Sequence, residues 1–236
     1  MGLKVVIEIL DNSKVEDIDE ALAVFHRIDK LVSAYRHSSE ISKLNAKKLR
    51  LEEVSPLTKK ILSICDQTKK ETNGYFDIVV EGHLNPSGLL VGFALQEAVE
   101  LLHKKGYKNF YISSGNDLYV SGYKNGSKWK VELPNPSPKQ IRKQGLYLSN
   151  KAVSTSGQGE KGIVVYNPLR KRIVNDVLSV TVVSDSALDS DRFSTAGFAM
   201  GEKGIDFLER VEGVEAFMVL RDGNELLTSR FGEFMV

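Results

Sequence analysis

Hydrophobic residues recur along this chain at two spacings, and the switches between them mark its elements. Residues 3–10 (LKVVIEIL) alternate enough for an opening strand, ended by Asp11-Asn12-Ser13. Between 15 and 32, Ile18, Ala21, Leu22, Phe25, Ile28, Leu31 and Val32 return at helical spacing, which predicts a long amphipathic helix with His26 and Asp29 as solvated positions. The hydroxyl-rich run 33–45 ends that helix and starts a short one, capped by Ser38 with Ile41 or by Ser39 with Ser42. Residues 55–72 predict a second long helix, with Ser55 as N-cap, Pro56 at the first helical position, and Leu57, Ile61, Leu62, Ile64 and Cys65 on its buried side. Asn73-Gly74 stops it, and 75–80 (YFDIVV) read as a short strand.

Residues 85–94 lead into a helix that runs to about 105, where Gly106 ends it. Gly88 and Gly92 lie four apart at its start; they suit either an anion on exposed N–H groups or the close approach of another helix. Strands follow at 109–113 and 118–121, joined by the turn 114–117. Asn125-Gly126 is a strong hairpin signal and should close onto 128–133. An extended spacer at 134–138, a strand at 146–153 and a flexible polar loop at 154–159 come next. Residues 162–166 and 172–183 predict strands on either side of the turn 167–170. A helix over 205–211 and a last hairpin, 214–220 with 225–231 around Asp222-Gly223-Asn224, complete the chain.

The stretch 177–201 (VLSVTVVSDSALDSDRFSTAGFAMG) anchors this succession. Its first seven residues are apolar or β-branched almost without a break, as in a buried strand. Serines and aspartates then satisfy free N–H groups and favour the positive end of a helix dipole, so a helix should start near Ser186. Asp191 and Thr195, four apart, point from one face of it, toward solvent or a ligand. A carboxylate and a hydroxyl so placed can hold one hard cation and leave positions open for a phosphate. The plain structural alternative is a capped helix with a back-bonded Thr. Helices come early and late while hairpins dominate the middle, an ordering that favours α+β over regular βαβ units.

Composition narrows the function classes. With 236 residues, 42% hydrophobic and 27% charged, the chain is long enough for one large domain or two small lobes. A net charge of +1, with no dense basic block interleaved with aromatics, argues against nucleic acid as a partner. Cys65 stands alone in an apolar rhythm and reads as a core thiol, so no disulfide can form within the chain. No apolar run reaches the length of a membrane span, and neither a secretory leader nor a lipid-acceptor cysteine is recognisable. As written the chain reads as soluble and cytoplasmic; if a leader was trimmed, it reads as exported.

Taken in order, SAYRHSSEISKLN (33–45), NGYFDIVV (73–80), SGLLVGFALQEAVELLHKKGYKNFYISSGND (87–117), WKVELPNP (129–136), AVSTSG (152–157) and the anchor stretch resemble the ApbE family of FAD:protein FMN transferases. The resemblance runs across nearly the whole chain. It implies an α+β fold of mixed or antiparallel sheets with flanking helices, a single two-lobed domain over 1–236. It also implies flavinylation: Mg²⁺-assisted cleavage of FAD between its phosphates, with FMN joined to a Thr or Ser hydroxyl of an acceptor flavoprotein and AMP released. Carried over residue by residue, Asp191 and Thr195 match the metal ligands, joined by a backbone oxygen at Gly88 and a candidate one at Leu188. Tyr75, Phe76 and Asp77 match the segment that touches the flavin nucleotide. Tyr35, Asn45 and Asn85 fall where the resemblance implies contact with FAD, as does Thr155, and Thr155-Ser156-Gly157 sit near the site.

The departures concern charge. Val91 stands where the family usually has Lys, and Val164 where it has His. Asn167, Asn85 and Gln96 stand at positions the family tends to give to Asp, Asn116 interrupts a Gly-Gly-Asp, and the segment between Val80 and Ser87 is short. A Lys at 91 would offer a charge to the pyrophosphate, and a His at 164 could move a proton; Val offers neither. Three functions therefore compete: a flavin transferase working with substitutes, a degenerate homologue that binds a flavin nucleotide or a protein partner without transfer, and hydrolysis of FAD to FMN and AMP.

Overall fold

The computed structural model describes residues 4–133, 145–157 and 165–235. β1 (Val5–Ile9) leads into α1 (Val15–Val32), whose apolar stripe buries Ala21, Val24, Phe25, Ile28 and Val32. Asp29 is not a solvated position: it is 6% exposed, because Arg36 folds back and donates to its carboxylate at 2.5 Å. Of the two caps open to the next helix, α2 (Glu40–Asn45), the second forms, with Ser39 accepting from the Ser42 N–H. α3 (Pro56–Glu71) starts on Ser55, which accepts from the Thr58 N–H. It buries Thr58, Ile61, Cys65 and Thr68, while Leu57, Leu62 and Ile64 lie half-buried at its margins.

The strand expected over 75–80 shrinks to β2 (Val79–Val80), which pairs only with β3 (His83–Leu84). The Thr72 hydroxyl accepts the Phe76 N–H at 3.0 Å, so a donor that a ladder would need is spent at the end of α3. α4 (Ser87–Lys104) is followed by Gly106 at φ +93°. β4 (Phe110–Ser114) and β5 (Asp117–Ser121) form the next hairpin. Asn125-Gly126 does turn the chain, yet only the Lys124–Ser127 bridge closes above it. β6 (Trp129–Glu132) leaves to pair with β7 (Gly145–Leu148), held across the sheet by the Trp129 indole N–H on the Ser121 carbonyl.

The strand expected at 146–153 is broken at Ser149-Asn150, with Asn150 at φ +52°. Beyond the break, β8 (Lys151–Gly157) absorbs residues 154–157, which the sequence marks as loop. Polar side chains conceal this strand, but β5 and the later β11 pair with it on both edges and satisfy its backbone. β9 (Tyr166–Asn167) and β10 (Arg172–Ile173) make a small hairpin, so the strand expected over 172–183 is split before β11 (Val177–Ser184). Ser186 caps α5 (Ala187–Met200), and α6 (Gly204–Leu208), β12 (Glu215–Leu220) and β13 (Glu225–Leu227) follow. The expected spacer at 134–138, Gln158 and Gly159 of the polar loop, and most of the strand at 162–166 lie outside the described residues.

The main sheet runs β1-β4-β5-β8-β11-β12-β13, with every neighbouring pair antiparallel. One face is covered by helices. Phe110, Ile112, Tyr119 and Ala152 pack with α1 and α4, while Val180, Val182, Ala216 and Met218 pack with Phe193, Phe198 and Leu208 of α5 and α6. The other face, with Val120, Val153, Val183, Phe217 and Val219, packs against Trp129, Val131, Leu146 and Leu148 of the β6–β7 ribbon. The fold is thus α+β with an antiparallel sheet, and the helix-covered halves share that sheet. Among the described residues no helix is long and apolar enough to cross a membrane.

Candidate functional site

The seam between α4 and α5 brings together the residues that the anchor stretch singles out. The helices run antiparallel, and two residues four apart on one meet two residues four apart on the other. A Cβ on Gly92 would stand 2.4 Å from the Asp191 Cβ and 2.5 Å from the Ala187 carbonyl, and one on Gly88 would stand 2.9 Å from the Thr195 methyl. Of the two uses open to these glycines, close helix approach is therefore the one the structure makes. Three polar rungs cross the seam. Gln96 Oε1 accepts the Ala187 N–H at 3.0 Å, Asp191 Oδ2 accepts the Gly92 N–H at 2.7 Å, and Thr195 Oγ1 donates to the Gly88 carbonyl at 3.0 Å.

Asp191 is 6% exposed, so it faces the seam and not open solvent. Burial raises its pKa well above the ordinary carboxylate range, the Asp117 carboxylate adds to the rise, and the Gly92 N–H opposes it. Asp117 opens β5 directly across the ladder from Ser154. Its half-buried carboxyl is pushed up to about 7 by desolvation, against hydrogen bonds from the Ser154 side chain and the Thr155 backbone. Beside this pair lies a hydroxyl cluster. Ser194 Oγ is 3.1 Å from Ser154 Oγ and 2.8 Å from Ser156 Oγ, and it donates to the Asp191 carbonyl at 3.0 Å.

These groups suit a hard cation better than a soft one. Asp191 Oδ1 has no hydrogen-bond donor among the described residues and is not a fully buried atom, so it is open to a ligand or water. The Gly88 carbonyl and Thr195 hydroxyl oxygens, 3.0 Å apart, match the spacing of adjacent ligands around Mg²⁺, about 3.0 Å for bonds of about 2.1 Å. Among the described residues no three His, Cys, Asp or Glu side chains stand close enough to hold a metal. A cation here would draw on few protein oxygens and leave positions for phosphate and water, as Mg²⁺ does.

The other positions expected at the site disperse. Phe76 is a core side chain that packs on the Gly88 segment. Asp77 accepts the Val79 N–H at 2.9 Å and pairs with Lys69 at 2.7 Å. Tyr75 lines a shallow 290 Å³ hollow with Lys203, Phe207 and Arg210. Asn45 spends both ends of its amide on the Leu84 backbone, donating at 2.9 Å and accepting at 2.8 Å, and so ties α2 to β3. Tyr35 is 79% exposed. The Thr155 hydroxyl pairs with Thr181 at 2.9 Å, while its strand neighbours Ser154 and Ser156 meet α5. Strand alternation therefore puts Thr155 on the sheet face away from the seam.

Several neutral residues that depart from the family pattern have structural work. Asn85 accepts the Ser87 N–H at the start of α4, and Gln96 takes the first free N–H of α5. Asn167 donates to the Ala199 carbonyl at 2.7 Å and accepts the Arg170 N–H at 2.8 Å, a pairing that needs an amide's donor as well as its acceptor. Val91 is half-buried against the core, Leu188 packs at the same margin, and Val164 lies outside the described residues. Asp117, Ser154 and Ser194 stand at the seam without being singled out in the sequence, while Ser156, expected near the site, does reach α5. Alternation over 152–157 and the α5 spacing of 191, 194 and 195 are the signals that could have found Ser154 and Ser194.

Comparison with known proteins agrees with this architecture. The model of the ApbE family matches residues 1–85 and 81–218. The FAD:protein FMN transferase of Salmonella typhimurium is 26% identical over 159 residues, 61% of this chain and 45% of that protein. That of Buchnera aphidicola subsp. Schizaphis graminum is 26% identical over 191 residues, 76% of this chain and 55% of that protein. The chain spans about half the length of the curated relatives it matches. Among solved structures, the flavin transferase ApbE from Vibrio cholerae superposes with a TM-score of 0.86 at 20% identity, covering 99% of this chain and 96% of that one. The apbe protein from Thermotoga maritima gives 0.86 at 20%, with the same coverage. At such identities these structures establish the shared fold.

Proposed function

The chain belongs to the ApbE family, and on that premise we propose that it is a Mg²⁺-dependent FAD:protein FMN transferase. Residues 1–236 then act as one transferase domain, which cleaves FAD between its phosphates, attaches FMN to a Thr or Ser of an acceptor protein and releases AMP. The observation that carries this reading is the α4–α5 seam, where Asp191, the Thr195 hydroxyl and the Gly88 carbonyl present oxygen donors together. These groups would hold Mg²⁺, which when bound neutralises charge on the pyrophosphate oxygens.

The chain's own residues supply position. Gly92 lets α5 close on α4 and donates to Asp191, so the carboxylate is aimed before any ligand arrives. Gln96 holds the first turn of α5 and thereby the register of Asp191 and Thr195 against the glycines. Asn85 sets the first turn of α4, from which Gly88 offers its carbonyl.

Incubation with FAD, Mg²⁺ and a Thr-containing acceptor peptide tests the reading. A peptide heavier by one FMN, with equimolar AMP, is the expected result. An unlabelled peptide beside a working family enzyme sinks it. The half-buried Val91, with no charge to offer a phosphate, favours a second reading in which a flavin nucleotide is bound without transfer. FAD taken up and recovered intact would establish that reading instead. AMP released with no labelled peptide would identify a hydrolase.

A further inference from the structure

The hydroxyls behind Thr195 form an ordered series, and counting their protons gives it a direction. Thr195 Oγ1 donates to the Gly88 carbonyl at 3.0 Å and lies 3.4 Å from Ser156 Oγ. Ser156 Oγ is 2.8 Å from Ser194 Oγ. Ser194 Oγ has two acceptors within reach, the Asp191 carbonyl at 3.0 Å and Ser154 Oγ at 3.1 Å. Ser194 and Ser154 are buried, so water is excluded from the inner end of the series, while Thr195 and Ser156 are half-buried. Each hydroxyl has one proton to give and two lone pairs to accept with.

Without a cation, the Thr195 proton rests on the Gly88 carbonyl. If Thr195 Oγ1 and the Gly88 oxygen both turn lone pairs to a cation, that place is lost, because the cation repels a proton lying between its own ligands. The remaining acceptor for Thr195 among the described residues is Ser156 Oγ. Ser156 can accept if its own proton goes to Ser194, and Ser194 can accept that one because its proton has two exits away from the seam.

We propose that Ser156 and Ser194 are positioning residues that draw the Thr195 proton away from the seam and so turn the Thr195 lone pairs toward a divalent cation. This rests on the reading of Gly88, Asp191 and Thr195 as the metal site. No bond to carbon or phosphorus forms or breaks in this step; each hydroxyl rotates and keeps its own proton. The 3.4 Å separation of Thr195 and Ser156 is the one slack link, and cation binding should shorten it.

The test uses the full chain with Mn²⁺ as the probe, free ion being counted by its paramagnetic resonance signal. Ser156→Ala and Ser194→Ala should each weaken Mn²⁺ binding about tenfold, the scale of losses from groups that orient metal ligands. Ser156→Thr should recover most of the loss. In a Thr195→Val background, where no hydroxyl is left to orient, Ser156→Ala should have no further effect. A merely structural serine would weaken binding equally in both backgrounds, and that result would overturn the proposal, as would wild-type affinity in both alanine variants. Wild-type protein that takes up no Mn²⁺ would sink the metal reading and the positioning role together. Wild-type protein that binds it, beside indifferent serine variants, would sink the positioning role alone.

Discussion

Gly92 and Asp191 meet more closely than any side chain at position 92 would allow. The Gly92 N–H donates to Asp191 Oδ2 at 2.7 Å, and a Cβ at 92 would stand 2.4 Å from the Asp191 Cβ. The missing side chain is therefore what lets one helix reach the carboxylate of the other.

Gly92→Ala should consequently be costly although alanine favours helices. The gain of about 1 kcal/mol in propensity is outweighed by forcing α4 and α5 apart, for a net loss of about 2 kcal/mol. Gly88→Ala, whose Cβ would meet the Thr195 methyl at 2.9 Å, should cost less. Urea denaturation of both variants checks the order; equal stability would show that the seam is loose.

Asp191, the proposed metal ligand, should cost the metal-free fold stability. Burial and the Asp117 carboxylate both disfavour its charge. Asp191→Asn should thus raise the metal-free melting temperature at pH 7 by about 2–4 °C, the shift that roughly 1 kcal/mol gives in a chain of this size, while abolishing Mg²⁺-dependent turnover of FAD. Calorimetry with and without Mg²⁺ separates the two effects. A less stable variant would mean that the anion is already compensated within the fold.

Asp117 should give the metal-free protein a distinct pH profile. An unfolded Asp titrates near 3.9, whereas the folded carboxyl is pushed up to about 7. Between these values the folded chain keeps a proton that the unfolded chain has released, so this group's contribution to stability falls as pH rises from about 4 to 7. Asp117→Asn removes that fall. Its melting temperature relative to wild type should climb across the window and level off above it, and a flat difference would show that the carboxyl is solvated.

Gln96 holds the start of α5 from a different helix. Gln96→Ala leaves the Ala187 N–H without its acceptor and should cost about 1 kcal/mol. Gln96→Glu keeps the acceptor and should cost less. Amide exchange at residues 187 and 188 reports the change directly: faster exchange in the alanine variant is expected, and unchanged exchange would assign the cap to Ser186 alone.

Much of this was legible in the chain itself. The amphipathic period of 15–32, the Ser55-Pro56 start, the apolar run ending in Ser186 and the spacing of Asp191 and Thr195 are local signals, and local physics produced the elements they predict. Two of the misreadings come from partners distant in sequence. The polar stretch 154–157 looks like a loop until β11 pairs along all of it and β5 adds Ser154, and Asp29 looks solvated until Arg36 reaches it.

By itself the sequence determined the long helices and the apolar strand before Ser186, the α+β order, the family, and which side chains four apart share a face. Those properties depend on neighbours a few residues away. Tertiary structure alone decided that Gly88 and Gly92 receive a helix, that Asp117 comes close enough to raise the pKa of Asp191, and that Ser156 and Ser194 stand behind Thr195. Each of these depends on at least one pair of residues tens of positions apart. Only the pairing of β5, β8 and β11 and the seating of α5 on that sheet bring them within hydrogen-bonding or Coulombic range.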